Sequence, residues 1–216
     1  MRNKSIILWD LDGTLTDPAE GITKAVQHSL GIFGIRVEDR RRLYPFIGPP
    51  LKASYQEMFG FSDEETARAI AAYREYFSVT GLFENVPYEG IAPLLCDLQT
   101  AGKRLYVATS KPTVFALRIL ERFRLSQYFE GVYGSELDGT RVEKPAVIRY
   151  CLEQEGITDQ SAVVMVGDRE YDVLGAHENG LEAIGVIYGY GSREELVQAG
   201  ADALAEDLAG LRALLT

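Results

Sequence analysis

The chain has 216 residues, 46% apolar and 25% charged, which suits a soluble globular protein with one large core or two unequal ones. A formal charge of −10 and a pI near 4.8 exclude a basic nucleic-acid-binding face as its main feature. No apolar run approaches the roughly 20 residues that span a bilayer. The one basic run, Arg40-Arg41-Arg42, reads as a solvated helix face. The first residues, Met1-Arg2-Asn3-Lys4-Ser5, lead into a short strand rather than a signal-type apolar stretch. Cys96 and Cys151 lie inside helical patterns and read as two buried thiols. Together these features point to a cytoplasmic protein.

Ile6-Ile7-Leu8-Trp9 is apolar enough to be a fully buried parallel strand. It stops at Asp10-Leu11-Asp12, where Gly13 releases the backbone into a turn. Asp17-Pro18-Ala19-Glu20 predicts a helix start with Asp17 as N-cap and Pro18 at the first helical position. Ile22, Ala25, Val26, Leu30 and Phe33 give that helix its apolar face, and it closes near Gly34. Phe46-Ile47-Gly48-Pro49-Pro50-Leu51 predicts a rigid loop. Ser62-Asp63-Glu64-Glu65 caps a further helix carrying Ala69, Ile70, Tyr73 and Phe77. Residues 17–84 thus read as all-helical.

From Gly90 the texture alternates. A helix runs to Gly102, a strand covers 104–109, a helix 114–123 and a short strand 129–133. A helix over 146–155, a strand over 162–167, a helix over 171–179, a strand over 183–187 and terminal helical segments follow. Such alternation predicts a doubly wound α/β core with a parallel sheet, formed by 1–16 and 85–216, with 17–84 inserted as an all-helical cap.

Parallel strands bring their carboxyl ends to one edge, where open α/β sheets bind ligands. Four strand ends there offer chemistry: Asp10 and Asp12; Thr109, Ser110 and Lys111; Lys144, just before Pro145 at a helix start; and Asp168 with Asp172 in Gly167-Asp168-Arg169-Glu170-Tyr171-Asp172. Acids, hydroxyls and a lysine in one place suit a hard divalent cation together with a phosphate. His28 and His177 lie in helices without metal spacing and read as packing or surface residues. Tyr188, Tyr190 and glycines 185, 189 and 191 read as a loop near the site but outside the chemistry.

Over essentially its full length this pattern closely resembles the haloacid dehalogenase-like superfamily of aspartate-nucleophile phosphatases. The resemblance implies a Rossmann-like core and Mg²⁺ as cofactor. It makes Asp10 the nucleophile that forms an aspartyl-phosphate, and Asp12 the general acid and then base, with its backbone carbonyl on the metal. It assigns Thr109, with Ser110 beside it, and Lys144 to the phosphoryl oxygens. Asp168 and Asp172 join Asp10 as metal-site acids, Asp172 directly or through water. Asp12 argues against a haloacid dehalogenase, and Thr14 against a sugar-phosphate mutase. A non-catalytic phosphate-binding module would be expected to have lost at least one of these groups, and none is missing. The stretches around Asp17 and Phe46 resemble a branch related to phosphoglycolate phosphatases and often assigned as 5′-nucleotidases. The implied substrate is a small phosphorylated metabolite, a nucleoside 5′-monophosphate first, with phosphoglycolate or pyrophosphate as alternatives. The implied partners include no nucleic acid polymer and no membrane, and the chain would be a monomer or homodimer. The cap is expected to act as a mobile lid that sets specificity.

Overall fold

The computed structural model describes residues 1–216, which form two compact units: Met1–Asp17 with Pro87–Thr216, and Pro18–Val86. Strand β1 (Ile6–Trp9) is followed by the two-residue strand β2 (Thr16–Asp17). The second unit contains α1 (Ala19–Gly31), a 3₁₀ turn over Arg40–Phe46, α2 (Leu51–Phe59), α3 (Asp63–Phe77) and a 3₁₀ turn at Gly81–Phe83. After β3 (Val86–Pro87) come α4 (Ile91–Thr100), β4 (Arg104–Pro112), α5 (Thr113–Arg122) and β5 (Gly131–Ser135). The chain finishes with α6 (Lys144–Gln154), β6 (Val163–Gly167), α7 (Glu170–Glu178), β7 (Glu182–Val186), α8 (Arg193–Gln198), β8 (Ala203–Ala205) and α9 (Leu208–Leu215).

The larger unit is built on a six-stranded sheet in the order β5-β4-β1-β6-β7-β8, with every recorded pairing parallel. It is the doubly wound α/β sheet that the alternation calls for. β1 lies between β4 and β6, so Trp9 stands opposite Val107 on one side and Val166 on the other. The chain first winds outward from β1 to β4 and β5, then returns to β6 on the opposite side. That reversal is a topological switch point, and it opens a crevice beyond the carboxyl ends of β1 and its neighbours. One side of the sheet buries Leu8, Tyr106, Met165 and Ala183 against Val147, Ile148 and Cys151 of α6 and Val173 and Ala176 of α7. No helix is long and apolar enough to cross a membrane.

The smaller unit has its own aromatic core. The Phe46 and Tyr55 rings meet edge to face at 4.8 Å, and Phe33 meets Phe61 at 4.6 Å. Ser62 caps α3 as its sequence implies: its side chain accepts from Glu65 N–H at 3.2 Å, and the Glu65 carboxylate accepts from Ser62 N–H at 2.9 Å.

Several local expectations are corrected. Asp17 does not cap α1; Pro18 occupies that position, and the Asp17 carboxylate instead accepts from the Tyr190 hydroxyl. The loop expected over Phe46–Leu51 is found at Ile47–Pro50, but Phe46 belongs to the preceding 3₁₀ turn and Leu51 already opens α2. Cys151 is buried, but Cys96 is exposed. The inward positions of α4 are Ile91, Leu94, Leu95 and Leu98, and Cys96 falls off that stripe. The arginine run lies in a 3₁₀ turn rather than along an α-helix. β8, an Ala-Leu-Ala edge strand, has too little β-branched character to be legible in sequence.

Leu8 is fully buried in the centre of the sheet. Leu8→Ala should therefore lower unfolding stability by about 3 kcal/mol. Denaturant titration should show a lower midpoint with little change in slope; a midpoint equal to wild type would contradict the placement of the core.

Candidate active site

The turn after β1 is fixed by its backbone before any side chain is considered. Asp10 N–H donates to the Val166 carbonyl at 2.9 Å, extending the β1–β6 ladder one residue past Trp9. The Leu11 carbonyl then accepts from Leu15 and Thr16 N–H at 2.9 and 3.1 Å, closing the chain on itself. Gly13 sits at φ +84°, and a Cβ there would fall 2.2 Å from Asp168 Oδ2. Only glycine satisfies both demands. Gly167, the last residue of β6, plays a matching part, because a Cβ would fall 2.1 Å from the Asp172 carboxylate carbon. The two glycines let the β1 and β6 ends close on each other's acids.

Lys144, at the first position of α6, is the centre of the site. Its buried ammonium lies 2.7 Å from Asp10 Oδ1, 2.8 Å from Asp172 Oδ1 and 3.1 Å from the Ala108 carbonyl. Carboxylate oxygens of Asp10, Asp168 and Asp172 all lie within 4.8 Å of one another. Thr14 Oγ1 donates to Asp168 Oδ1 at 3.1 Å, and Tyr190 N–H donates to Oδ2 at 2.8 Å. Asp172 Oδ2 accepts from Arg169 N–H at 3.0 Å. Beside this group stands a second buried pair, Lys111 Nζ with Asp12 Oδ2, at 2.5 Å.

Burial pushes the Asp168 carboxyl well above the usual carboxylate range, and the charges of Asp172 and Asp10 push it further. Burial also raises Asp172, against the pull of Lys144. Asp12 is raised by burial with Lys111 opposing. Burial works against the Lys144 charge, but Asp10 and Asp172 outweigh it and drive its pKa up. Acids crowded to this degree favour any cation that can enter among them. The donors are all oxygens, so the Asp10–Asp168–Asp172 cluster could bind a hard metal ion.

Of the residues singled out in sequence, Asp10, Lys144, Asp168 and Asp172 thus form one contact group, with Asp12 beside it. Thr109 is buried at the same strand end, its hydroxyl accepting from Lys111 N–H at 3.3 Å. Ser110 is half-buried and is tied through its carbonyl, which accepts from Ser135 Oγ at 2.8 Å. Neither hydroxyl bonds to the carboxylate cluster. His28 and His177 lie apart from it, each facing an acid, Glu75 at 3.8 Å and Asp202 at 3.0 Å. Sequence reasoning missed Thr14 as a support for Asp168, and it took the loop after β7 as a bystander. That loop touches the site: Tyr190 N–H holds Asp168, and Gly189 and Gly191 have no room for a Cβ against Asp168 atoms at 2.3 and 2.0 Å. The signal was two glycines flanking a tyrosine at a strand's carboxyl end.

Comparison with known proteins gives this arrangement a lineage. A family model described as haloacid dehalogenase-like hydrolase matches residues 7–186. A curated 5′-nucleotidase from Pseudomonas aeruginosa is 49% identical over 209 residues, covering 97% of this chain and 94% of that protein. The tyrosine-protein kinase PtkA from Mycobacterium tuberculosis is 42% identical over 187 residues, which cover 86% of this chain but 63% of that longer protein. A crystal structure of a predicted phosphatase from Clostridium acetobutylicum superposes with a TM-score of 0.95 at 50% identity, over 98% of this chain and 97% of that one. Asp10, Asp12, Lys144, Asp168 and Asp172 all fall inside the matched span, and the chain belongs to the haloacid dehalogenase-like hydrolase family.

Proposed function

We propose that the protein is a Mg²⁺-dependent phosphatase that hydrolyses small phosphate monoesters through an aspartyl-phosphate on Asp10, with nucleoside 5′-monophosphates as its substrates. The hydrolase class rests on the family itself. The observation that carries the mechanism is the Lys144 ammonium seated between Asp10 and Asp172, with three carboxylates converging within 4.8 Å. The nucleotide preference is supported by the 49%-identical 5′-nucleotidase, which this chain matches over nearly its whole length.

Each residue then has a physical task. Asp10 attacks phosphorus with one carboxylate oxygen, and the bond to the leaving oxygen breaks as the new one forms. Lys144 and the fixed β1 end hold that carboxylate aimed. Asp12 gives a proton to the leaving oxygen, then takes one from the water that opens the aspartyl-phosphate. One of its carboxylate oxygens, Oδ1, is buried without a hydrogen-bond partner, as a group kept for such a transfer would be. Asp10, Asp168 and Asp172 would hold Mg²⁺. When bound, Mg²⁺ would neutralise phosphoryl charge and blunt the repulsion between an anionic nucleophile and its anionic target. Thr109 stands at the same strand end for the phosphoryl oxygens.

Hydrolysis of an aryl phosphate should vanish with EDTA and return with Mg²⁺. Asp10→Asn should abolish the phosphoenzyme trapped by acid quench. Asp12→Asn should keep part of it with good leaving groups, which need little proton donation. Equal and total loss in two folded, Mg²⁺-binding variants would contradict this division. A substrate screen should rank nucleoside monophosphates above phosphoglycolate and pyrophosphate. Phosphate transfer to a protein tyrosine without hydrolysis would instead align the chain with the kinase relative.

The raised carboxyls also predict a pH dependence. Asp168, Asp172 and Asp12 all titrate above their unfolded values, so the metal-free fold binds more protons than the unfolded chain. Its stability therefore falls as pH rises from about 4 through the folded pKa values, that of Asp172 being about 6. Mg²⁺ relieves the repulsion only once those protons have left. Its stabilising shift in melting temperature should be larger at pH 7.5 than at pH 5. A shift independent of pH would place the metal elsewhere.

A further inference from the structure

We propose that Glu195 is a positioning residue for the cation site: its carboxylate clamps the chain between Asp168 and Asp172 and so fixes the spacing of those two acids. This deepens the metal-dependent phosphatase reading and rests on it.

Asp168 follows the last residue of β6, and Asp172 stands in the first turn of α7. Only Arg169, Glu170 and Tyr171 separate them, so the path of three residues decides how the two carboxylates are spaced. Arg169 N–H donates to Asp172 Oδ2 at 3.0 Å. The next amide, that of Glu170, opens α7, and the first amides of a helix find no acceptor within it. Glu195 Oε1 accepts from Glu170 N–H at 2.9 Å, and the same oxygen accepts from Arg169 Nε at 2.8 Å. One carboxylate oxygen thus holds two of the three linking residues, one by its backbone and one by its side chain. The Arg169 and Glu195 side chains are both largely buried, so their attraction is less screened than that of a surface pair.

Local sequence points Glu195 to a different partner. Ser192-Arg193-Glu194-Glu195 repeats the capping-box pattern of Ser62–Glu65. At α3 both halves of the box form. At α8 Glu195 N–H donates to Ser192 Oγ at 3.1 Å, but the Glu195 carboxylate goes to Arg169 and Glu170 instead of returning to its own N-cap. The glutamate leaves one helix start to hold another, 25 residues away. The loop after β7 brings it there: a Cβ on Gly191 would fall 2.0 Å from the Asp168 carbonyl oxygen and 3.3 Å from Glu195 Oε1. Residues that orient metal-binding side chains in this way affect affinity nearly as strongly as the ligands do. Mg²⁺ is the more demanding probe of such spacing, because it requires short, near-octahedral coordination where Ca²⁺ accepts longer and less regular contacts.

Calorimetric titration of the full chain with Mg²⁺ and, separately, with Ca²⁺ tests the clamp. Glu195→Ala should weaken Mg²⁺ binding roughly tenfold and Ca²⁺ binding by less than about threefold. Glu195→Gln, whose amide oxygen can accept the same two hydrogen bonds, should restore the ratio of the two affinities. Wild-type Mg²⁺ affinity in the alanine variant would overturn the proposal. So would an equal loss of both ions, which is the effect of leaving the Arg169 charge unpaired near the acids rather than of lost spacing. If the alanine variant does not fold, hydrogen exchange on the wild type decides. The Glu170 amide should be at least about tenfold more protected than the corresponding first amide of α8, at Arg193, and equal protection would overturn the clamp. A wild type that binds neither ion would overturn the metal reading, and the Glu170 exchange would still decide whether Glu195 holds the start of α7.

Discussion

The constraint on which the rest of the structure depends is the placing of four buried carboxylates at adjoining strand ends. Two like charges 4 Å apart repel by about 4 kcal/mol at an effective dielectric near 20, and here several such pairs coexist. A fold that only needed stability would fill these positions with apolar groups, because removing buried charge is often neutral or favourable. This chain keeps the acids and answers them with buried lysines, backbone N–H groups and raised pKa values. Asp168 receives Thr14 and Tyr190, Asp172 receives Arg169 N–H and Lys144, and Asp12 receives Lys111. Each compensation is partial. The residual negative potential is what would favour a cation among these acids.

The sheet order supplies the place, and the glycines supply the closeness. Because the chain leaves β1 toward β4 on one side and returns to β6 on the other, the carboxyl ends of β1 and β6 meet at the switch point, where such sheets open a crevice. The turn after β1 must then pass directly over Asp168, and the end of β6 directly under Asp172. Gly13 and Gly167 stand at those two contacts. A methyl group at either would force the facing acid to move by about 1 Å to reach ordinary van der Waals contact, so these positions are tied to the placing of the acids as closely as the acids' own hydrogen bonds are.

Much of this was legible in the chain. The apolar run into Asp10-x-Asp12-Gly13, the Gly167–Asp172 stretch and the alternation after Gly90 specify buried strands and their polar ends, because their signals are local in sequence. The Ser62–Glu65 box was legible for the same reason. What escaped depends on partners far along the chain. Asp17 has every local attribute of an N-cap, yet a tyrosine 173 residues away takes its carboxylate. β8 pairs through backbone with an Ala-Leu-Ala sequence that has no strand preference of its own; register with β7 decides it. Cys96 is exposed because helix phase, which a composition count ignores, turns it off the buried stripe.

The loop after β7 shows the same principle at the site itself. Tyr190 acts on Asp168 through its backbone N–H, a donor that every residue except proline possesses, so its side-chain identity carried no sign of the role. The side chain does something else: its hydroxyl donates to Asp17, while two residues earlier Tyr188 donates to the Thr14 carbonyl at 3.0 Å and packs edge to face on Tyr88. The loop therefore grips the β1 turn at Thr14 and Asp17 with its side chains and the β6 end at Asp168 with its backbone. Gly189 and Gly191 make that approach possible, since neither has room for a Cβ. Asp168 is thus oriented by two segments, the turn after β1 and the loop after β7, which are themselves joined. Displacing either would move the carboxylate that both hold, and the charge balance of the crevice would move with it.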